Sequence, residues 1–220
     1  PDEDKAASLR AQGFATVITH RMDGIARGTS CAVLLGGRNA NQDIIAPDAS
    51  AHFSFSKGSS KDAYPSSLMG SIALVRQALY DARWYTMQGR REQSDADLQA
   101  LQERLDLPLV FEASDRNDVL RIASIGREFG LRFIVKGAGD EYARLGDILA
   151  TDQPLIVPLV LPEAYDVEDP YEALEVGLAK LKHWELAPTN PARIAEAGGT
   201  FAFTAQGLKD PGVMWDVLRR

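Results

Sequence analysis

Two side chains of opposite charge stand where chemistry could be done. Glu112 directly follows the apolar run Leu109-Val110-Phe111, and Lys136 directly follows Phe133-Ile134-Val135. In a parallel α/β protein, side chains at the carboxyl ends of strands face a shared crevice or barrel mouth, where reacting groups gather. A carboxylate there can act as a base while an ammonium polarises or binds an anionic substrate, which makes Glu112 and Lys136 the candidate catalytic pair. The plainer reading is a structural ion pair, because such networks occupy the same positions. A third arrangement has Glu112 ligating a hard cation, although a protonated Lys136 has no lone pair to offer and would repel the ion. Around the pair, His20, Tyr64, Ser114 and Gln206 are candidate substrate-binding residues: His20 ends a strand-like run, Tyr64 lies in a long polar loop, and Ser114 and Gln206 follow strand ends. His20 and His52 each compete with a purely hydrogen-bonded structural role, since no second histidine has ligand spacing. Asp115-Arg116-Asn117-Asp118 reads first as a helix N-terminus, and Trp184 as a packed aromatic anchor.

The elements that must position these groups follow from periodicity and punctuation. Residues 2–12 carry helical spacing that stops at Gly13, and 14–19 form a strand rich in β-branched residues. Apolar runs at 32–35 and at 43–46 or 51–55 read as further strands, and 57–67 as a polar loop. Ser66 and Ser67 cap a helix whose Leu68, Ile72, Val75, Leu79 and Ala82 recur at helical spacing through Tyr85. A charged break at 88–93 and a short helix from Ser94 to near Asp106 precede the two central strand-helix units at 107–139. Beyond them lie a helix at 141–149, a strand at 154–161, a helix at 169–184, a turn between Pro188 and Pro191, a helix at 192–197, and a strand at 200–204. Strands alternating with helices predict a parallel sheet with right-handed crossovers. Gly137-Ala138-Gly139-Asp140 lacks a dinucleotide fingerprint, which argues against an open nucleotide-binding sheet. A barrel needs eight strands, and six or seven are legible, so the expectation is one barrel domain over residues 1–220 with an end missing.

Composition bounds the partners. The chain has 220 residues, 45% of them hydrophobic and 25% charged, ordinary for a globular domain with one large core. Its formal charge of -7 and the lack of a basic stripe argue against nucleic acid. No apolar run approaches the roughly 20 residues that cross a bilayer. The single cysteine, Cys31, rules out an internal disulfide, leaves the compartment open, and reads as a buried, inert thiol.

The segment FATVITHRMDGIARGTSCAVLLGG (14–37), with the order and spacing of units from 107 to 206, resembles the imidazolonepropionase-like branch of the amidohydrolase superfamily, and within it YPSSLMGSIALVRQALYDARWY (64–85) and KHWELAPTNPARIAEAG (182–198) resemble a bacterial subgroup of amidohydrolases. The resemblance implies a TIM-type (β/α) barrel of the metallo-dependent hydrolase kind, incomplete here at the first strand and the C-terminal part. It further implies hydrolysis of carbon-nitrogen bonds, often in cyclic amides, at a divalent metal such as zinc. The family holds that metal with a His-x-His pair on the first strand, histidines on the fifth and sixth, and an aspartate on the eighth. No His-x-His occurs in this chain. The fifth-strand position matches Glu112, the sixth falls on or beside Lys136, and Ala205 stands where the aspartate belongs. The expectation is therefore that this chain binds no metal cofactor and is inactive alone, with a small-molecule substrate if active. The alternative is a metal-free barrel used for binding or assembly, with the Glu112-Lys136 pair in place of the metal. A barrel lacking a strand exposes two sheet edges, which predicts self-association.

Overall fold

The computed structural model describes residues 3–36, 41–87, 95–166, 168 and 170–219. The charged break expected at 88–93, and the residues Asp2, Ser94 and Asp169 at the starts of three expected helices, lie outside them. One seven-stranded sheet organises the chain, its strands lying side by side in sequence order. Helix α1 (Glu3–Ala11) precedes β1 (Thr16–Thr19), β2 (Ala26–Leu34) and β3 (Ile44–Ser54), which form an antiparallel meander. From β3 onward the pairing is parallel, through β4 (Leu109–Glu112), β5 (Phe133–Lys136), β6 (Leu155–Pro158) and β7 (Phe201–Thr204). The crossovers carry α2 (Leu68–Met87) and α3 (Ala96–Arg104), then α4 (Arg116–Phe129), then α5 (Leu145–Leu149), then α6 (Pro170–Glu175), α7 (Leu178–Leu186) and α8 (Asn190–Glu196). Helix α9 (Met214–Leu218) follows β7.

Because every crossover advances in the same direction, right-handed connections leave the helices on one face of the sheet. A doubly wound sheet would reverse at a switch point, and this one does not. Side-chain alternation agrees: Leu109, Phe111, Phe133, Val135, Leu155 and Val157 are buried in one core with Val75, Leu79, Val119, Ile122, Ile148 and Ile194 from the helices. Fully buried Phe111 meets Phe133 edge-on at 5.4 Å between ring centroids, and burying each such ring contributes about 1.5–3 kcal/mol. The intervening Val110, Glu112, Ile134, Lys136, Ile156 and Pro158 face the other way and are half-buried. That face is concave. The sheet curls until residues flanking its two end strands touch, Gln206 Nε2 donating to Met22 Sδ at 3.4 Å and Trp215 Nε1 to the Gln12 carbonyl at 3.2 Å, while β1 and β7 themselves do not pair. The result is a curled half-barrel.

Several expectations change. The first three strands are antiparallel, because the links between them are too short for a parallel crossover. The separate runs expected at 43–46 and 51–55 belong to one strand, β3, which continues through Pro47, and the strand expected at 32–35 begins at Ala26. The helix expected over 169–184 is two, α6 and α7, separated at Gly177, and the one at 141–149 opens as a 3-10 turn, Glu141–Arg144. Pro191 sits in the first turn of α8 rather than in a preceding bend. Trp184 is 46% exposed, not packed, and Cys31 is half-buried.

Candidate functional site

Glu112 and Lys136 are the last residues of β4 and β5 and stand in register, so both side chains enter the concave face at the same height. Lys136 Nζ donates to Glu112 Oε1 at 2.5 Å. The other oxygen, Oε2, accepts from Arg27 Nη1, which sequence reasoning missed. Arg27 comes from β2, two strands away from Glu112, and its side chain is only 2% exposed. It reaches Glu112 past β3, where the residue in register with Glu112 is the small Ser54. Its other donors go to backbone carbonyls, Nε to Gly24 and Nη2 to Ser56, both at 3.3 Å. Gly28, with φ at +74°, follows immediately, and the pairing of β2 with β3 shifts between Ala26 and Thr29. Such a bulge re-aims a side chain. An arginine followed by glycine inside a strand-like run was the available clue, since a buried arginine needs a carboxylate partner.

Next to the ion network lie two histidines. His20, just past β1, stacks on His52 of β3 with ring centroids 3.9 Å apart and 13° between planes. His52 Nε2 is 2.9 Å from Ser50 Oγ, which is 2.6 Å from Ser30 Oγ, so the pair is tied to β2 by a buried hydroxyl chain. Burial lowers the pKa of His52 to about 4, with His20 and Arg27 adding to it, while Glu112 opposes. Burial, then Arg27, also lowers that of His20. Both rings are thus neutral near neutral pH, which lets them stack beside two cations. Burial pushes the Glu112 carboxyl up, but the hydrogen bonds and charges of Lys136 and Arg27 outweigh it and hold the carboxyl below its ordinary value.

The other candidates scatter. Tyr64 is exposed and donates its hydroxyl to the Gly70 carbonyl at 3.1 Å, in the first turn of α2. Ser114 lies two residues beyond Glu112, with its backbone N–H donating to Asp118 Oδ2 at 3.0 Å. Asp115 caps α4 as expected, accepting from the Asn117 and Asp118 amides. Gln206 is at the mouth but joins Met22, not the ion network. The structure therefore brings together Glu112, Lys136 and His20, adds Arg27 and His52, and leaves Tyr64, Ser114 and Gln206 outside.

A divalent metal, which the family resemblance implies, does not fit these donors. Both carboxylate oxygens of Glu112 are bonded to cations, and no group of three or more His, Cys, Asp or Glu side chains among the described residues is arranged to hold an ion. Two cationic groups around one carboxylate leave one excess positive charge, which repels rather than recruits a metal. Among the described residues no helix is long and apolar enough to cross a membrane.

No protein-family model and no curated sequence matches the chain. Among solved structures it is similar to an amidohydrolase from Thermotoga maritima MSB8, with a TM-score of 0.74 and 17% identity over 99% of this chain. The match spans 59% of the other protein. At that identity the likeness establishes a shared fold: the curled α/β sheet described above is the arrangement found in part of an amidohydrolase.

Proposed function

We propose that this chain is part of an amidohydrolase-type (β/α) barrel in which an Arg27–Glu112–Lys136 ion network stands in place of the metal centre, and that it serves binding rather than metal-dependent hydrolysis. The observation that carries the reading is the saturation of Glu112: one oxygen is bonded to Lys136 and the other to Arg27. With a cation on each oxygen and its pKa held low, Glu112 is a weak base and a poor metal ligand, and it fixes two cations at the barrel mouth. The likeness to the Thermotoga amidohydrolase supports the barrel type, and the imidazolonepropionase-like branch remains the family to which the quoted segments point. The test is elemental analysis of protein purified without chelator and then dialysed against zinc. Substoichiometric metal is expected, and about one equivalent retained per chain would overturn the reading.

A second reading, hydrolysis of cyclic amides, is favoured by the likeness of the fold to the Thermotoga amidohydrolase. Opening of a cyclic amide ring by the purified chain would establish it. In either case β1 and β7 bound the sheet among the described residues, and Ile18, Leu34, Ile44 and Ile45 are exposed on the meander. Such edges favour pairing with a second copy, which sedimentation equilibrium would detect as a concentration-dependent dimer.

A further inference from the structure

Beyond the ion network, each of the two central strands runs on into a loop, and the loops share a second feature. Ser114, two residues past Glu112, and Ala138, two past Lys136, line a cleft of about 500 Å³ closed on its far side by α7 and α8. That volume lies in the range of about 300–1,000 Å³ typical of small-molecule sites. We propose that this cleft binds a small phosphate monoester.

The charges lining the cleft carry the argument. Three cations line it, Arg116, Lys182 and Arg193, against one carboxylate, Asp140. Arg116 Nη1 bonds Asp140 Oδ2 at 2.8 Å, and Asp140 Oδ1 is buried, so this carboxylate is neutralised and turned away from solvent. Lys182 and Arg193 have no carboxylate partner among the described residues. Arg193 donates Nε to Thr189 Oγ1 at 2.9 Å, which anchors the guanidinium and leaves its outer nitrogens available. Two uncompensated positive charges thus meet in one cleft of a chain whose formal charge is -7.

Polar groups that are not charged complete the lining. Tyr142 Oη and His183 Nδ1 are 3.0 Å apart. With the phenol donating, His183 carries its proton on Nε2, a further donor for an anion. Arg116 and Arg193 line the cleft beside Tyr142, whose pKa burial and Asp140 raise and these two arginines lower, so two of the three cations face the same phenol. Convergence favours a phosphoryl group, which concentrates a charge of about -1.5 to -2 on three oxygens. A dicarboxylate spreads the same charge over two ends. The wall behind is rigid: the Tyr142 amide donates to Asn190 Oδ1 at 2.8 Å, and fully buried Asn190 and Glu141 join α8 to the loop after β5.

Calorimetric titration of the 220-residue chain with inorganic phosphate, glycerol 3-phosphate and succinate at matched ionic strength tests this. Saturable binding of both phosphates is expected, weakened about tenfold or more in the Lys182→Ala/Arg193→Ala double variant, because charge-assisted hydrogen bonds are removed. Both side chains are on exposed residues, so circular dichroism should show the variant folded. Arg76→Ala, whose partner Glu128 lies at the opposite end of α4 from Arg116, should leave phosphate affinity unchanged, which shows that the loss is specific to this cleft. Absence of saturable phosphate binding, equal affinity for succinate, or an unaffected double variant would each overturn the proposal.

Discussion

Glu112 and Glu141 are two carboxylates at the same end of the same sheet, and the chain accommodates them in opposite ways. Glu112 is held by two cations and retains some exposure, 22% of its side chain. Glu141 is fully buried and accepts instead from neutral donors: the Ala138 amide at 2.8 Å, the Gly139 amide at 3.1 Å and Asn190 Nδ2 at 2.6 Å. Glycine at position 137 is part of this arrangement, because a Cβ there would lie 2.0 Å from Glu141 Oε1. Aimed dipoles fix a geometry and leave no net cation behind, whereas full charges fix two side chains and leave the barrel mouth positive. The first solution reads as scaffold. The second reads as a site, because its charge is available to a ligand.

The contrast breaks most visibly if Glu112 is removed. Glu112→Ala leaves Arg27 buried without a carboxylate, and breaking a buried pair in this way costs about 3–5 kcal/mol. A chemical-denaturation midpoint unchanged from the parent would mean that Arg27 finds water or another partner. Acid is the next largest lever. His52 titrates at about 4 in the folded chain against 6.5 ordinarily. The unfolded chain therefore binds the proton first, and stability present above pH 6.5 is lost as pH falls towards about 4. The loss is on the order of 3 kcal/mol. His52→Gln should flatten that limb of a stability-versus-pH curve. Glu112, held low, contributes its own loss only further into acid. For Glu141 the informative change is Glu141→Gln, which removes the charge and keeps the shape. Its new amide turns a donor toward either Asn190 Nδ2 or the loop amides, at a cost of about 2 kcal/mol. A smaller loss than that of Lys136→Met would erase the distinction between scaffold and site.

Much of this contrast was legible beforehand, and the part that was not has physical causes. The strand ends at Glu112 and Lys136 are marked by apolar runs turning polar, and their register follows from parallel neighbours, so the pair could be placed from sequence. Arg27 could not, because its partner lies across two strands and its aim depends on the bulge at Gly28. The antiparallel meander was hidden for a related reason: β-branched runs report a strand and not its direction, and the turn-forming residues 20–25 are too few for a crossover only once the start of β2 is known. Glu141 opens the helix expected at 141–149, and nothing local distinguishes a carboxylate that turns back to cap its own loop. Its donors come partly from Asn190, a contact that only the crossover through α8 creates.

The smallest effect belongs to Lys136. With Arg27 in place, Lys136→Met does not leave Glu112 uncompensated, so the cost expected for an isolated buried pair does not apply. The change removes one charge-assisted bond of 2.5 Å between side chains that are 16% and 22% exposed. Solvent screening and the released lysine entropy reduce its value to about 1 kcal/mol. A double-mutant cycle with Arg27→Met sharpens the point. If both cations neutralise one carboxylate, removing either alone is mild and removing both is more than additive, because only the second removal strands the charge. Additive losses would mean that each cation is bonded for its own sake, and Glu112 would then be one partner among several rather than the centre of the network.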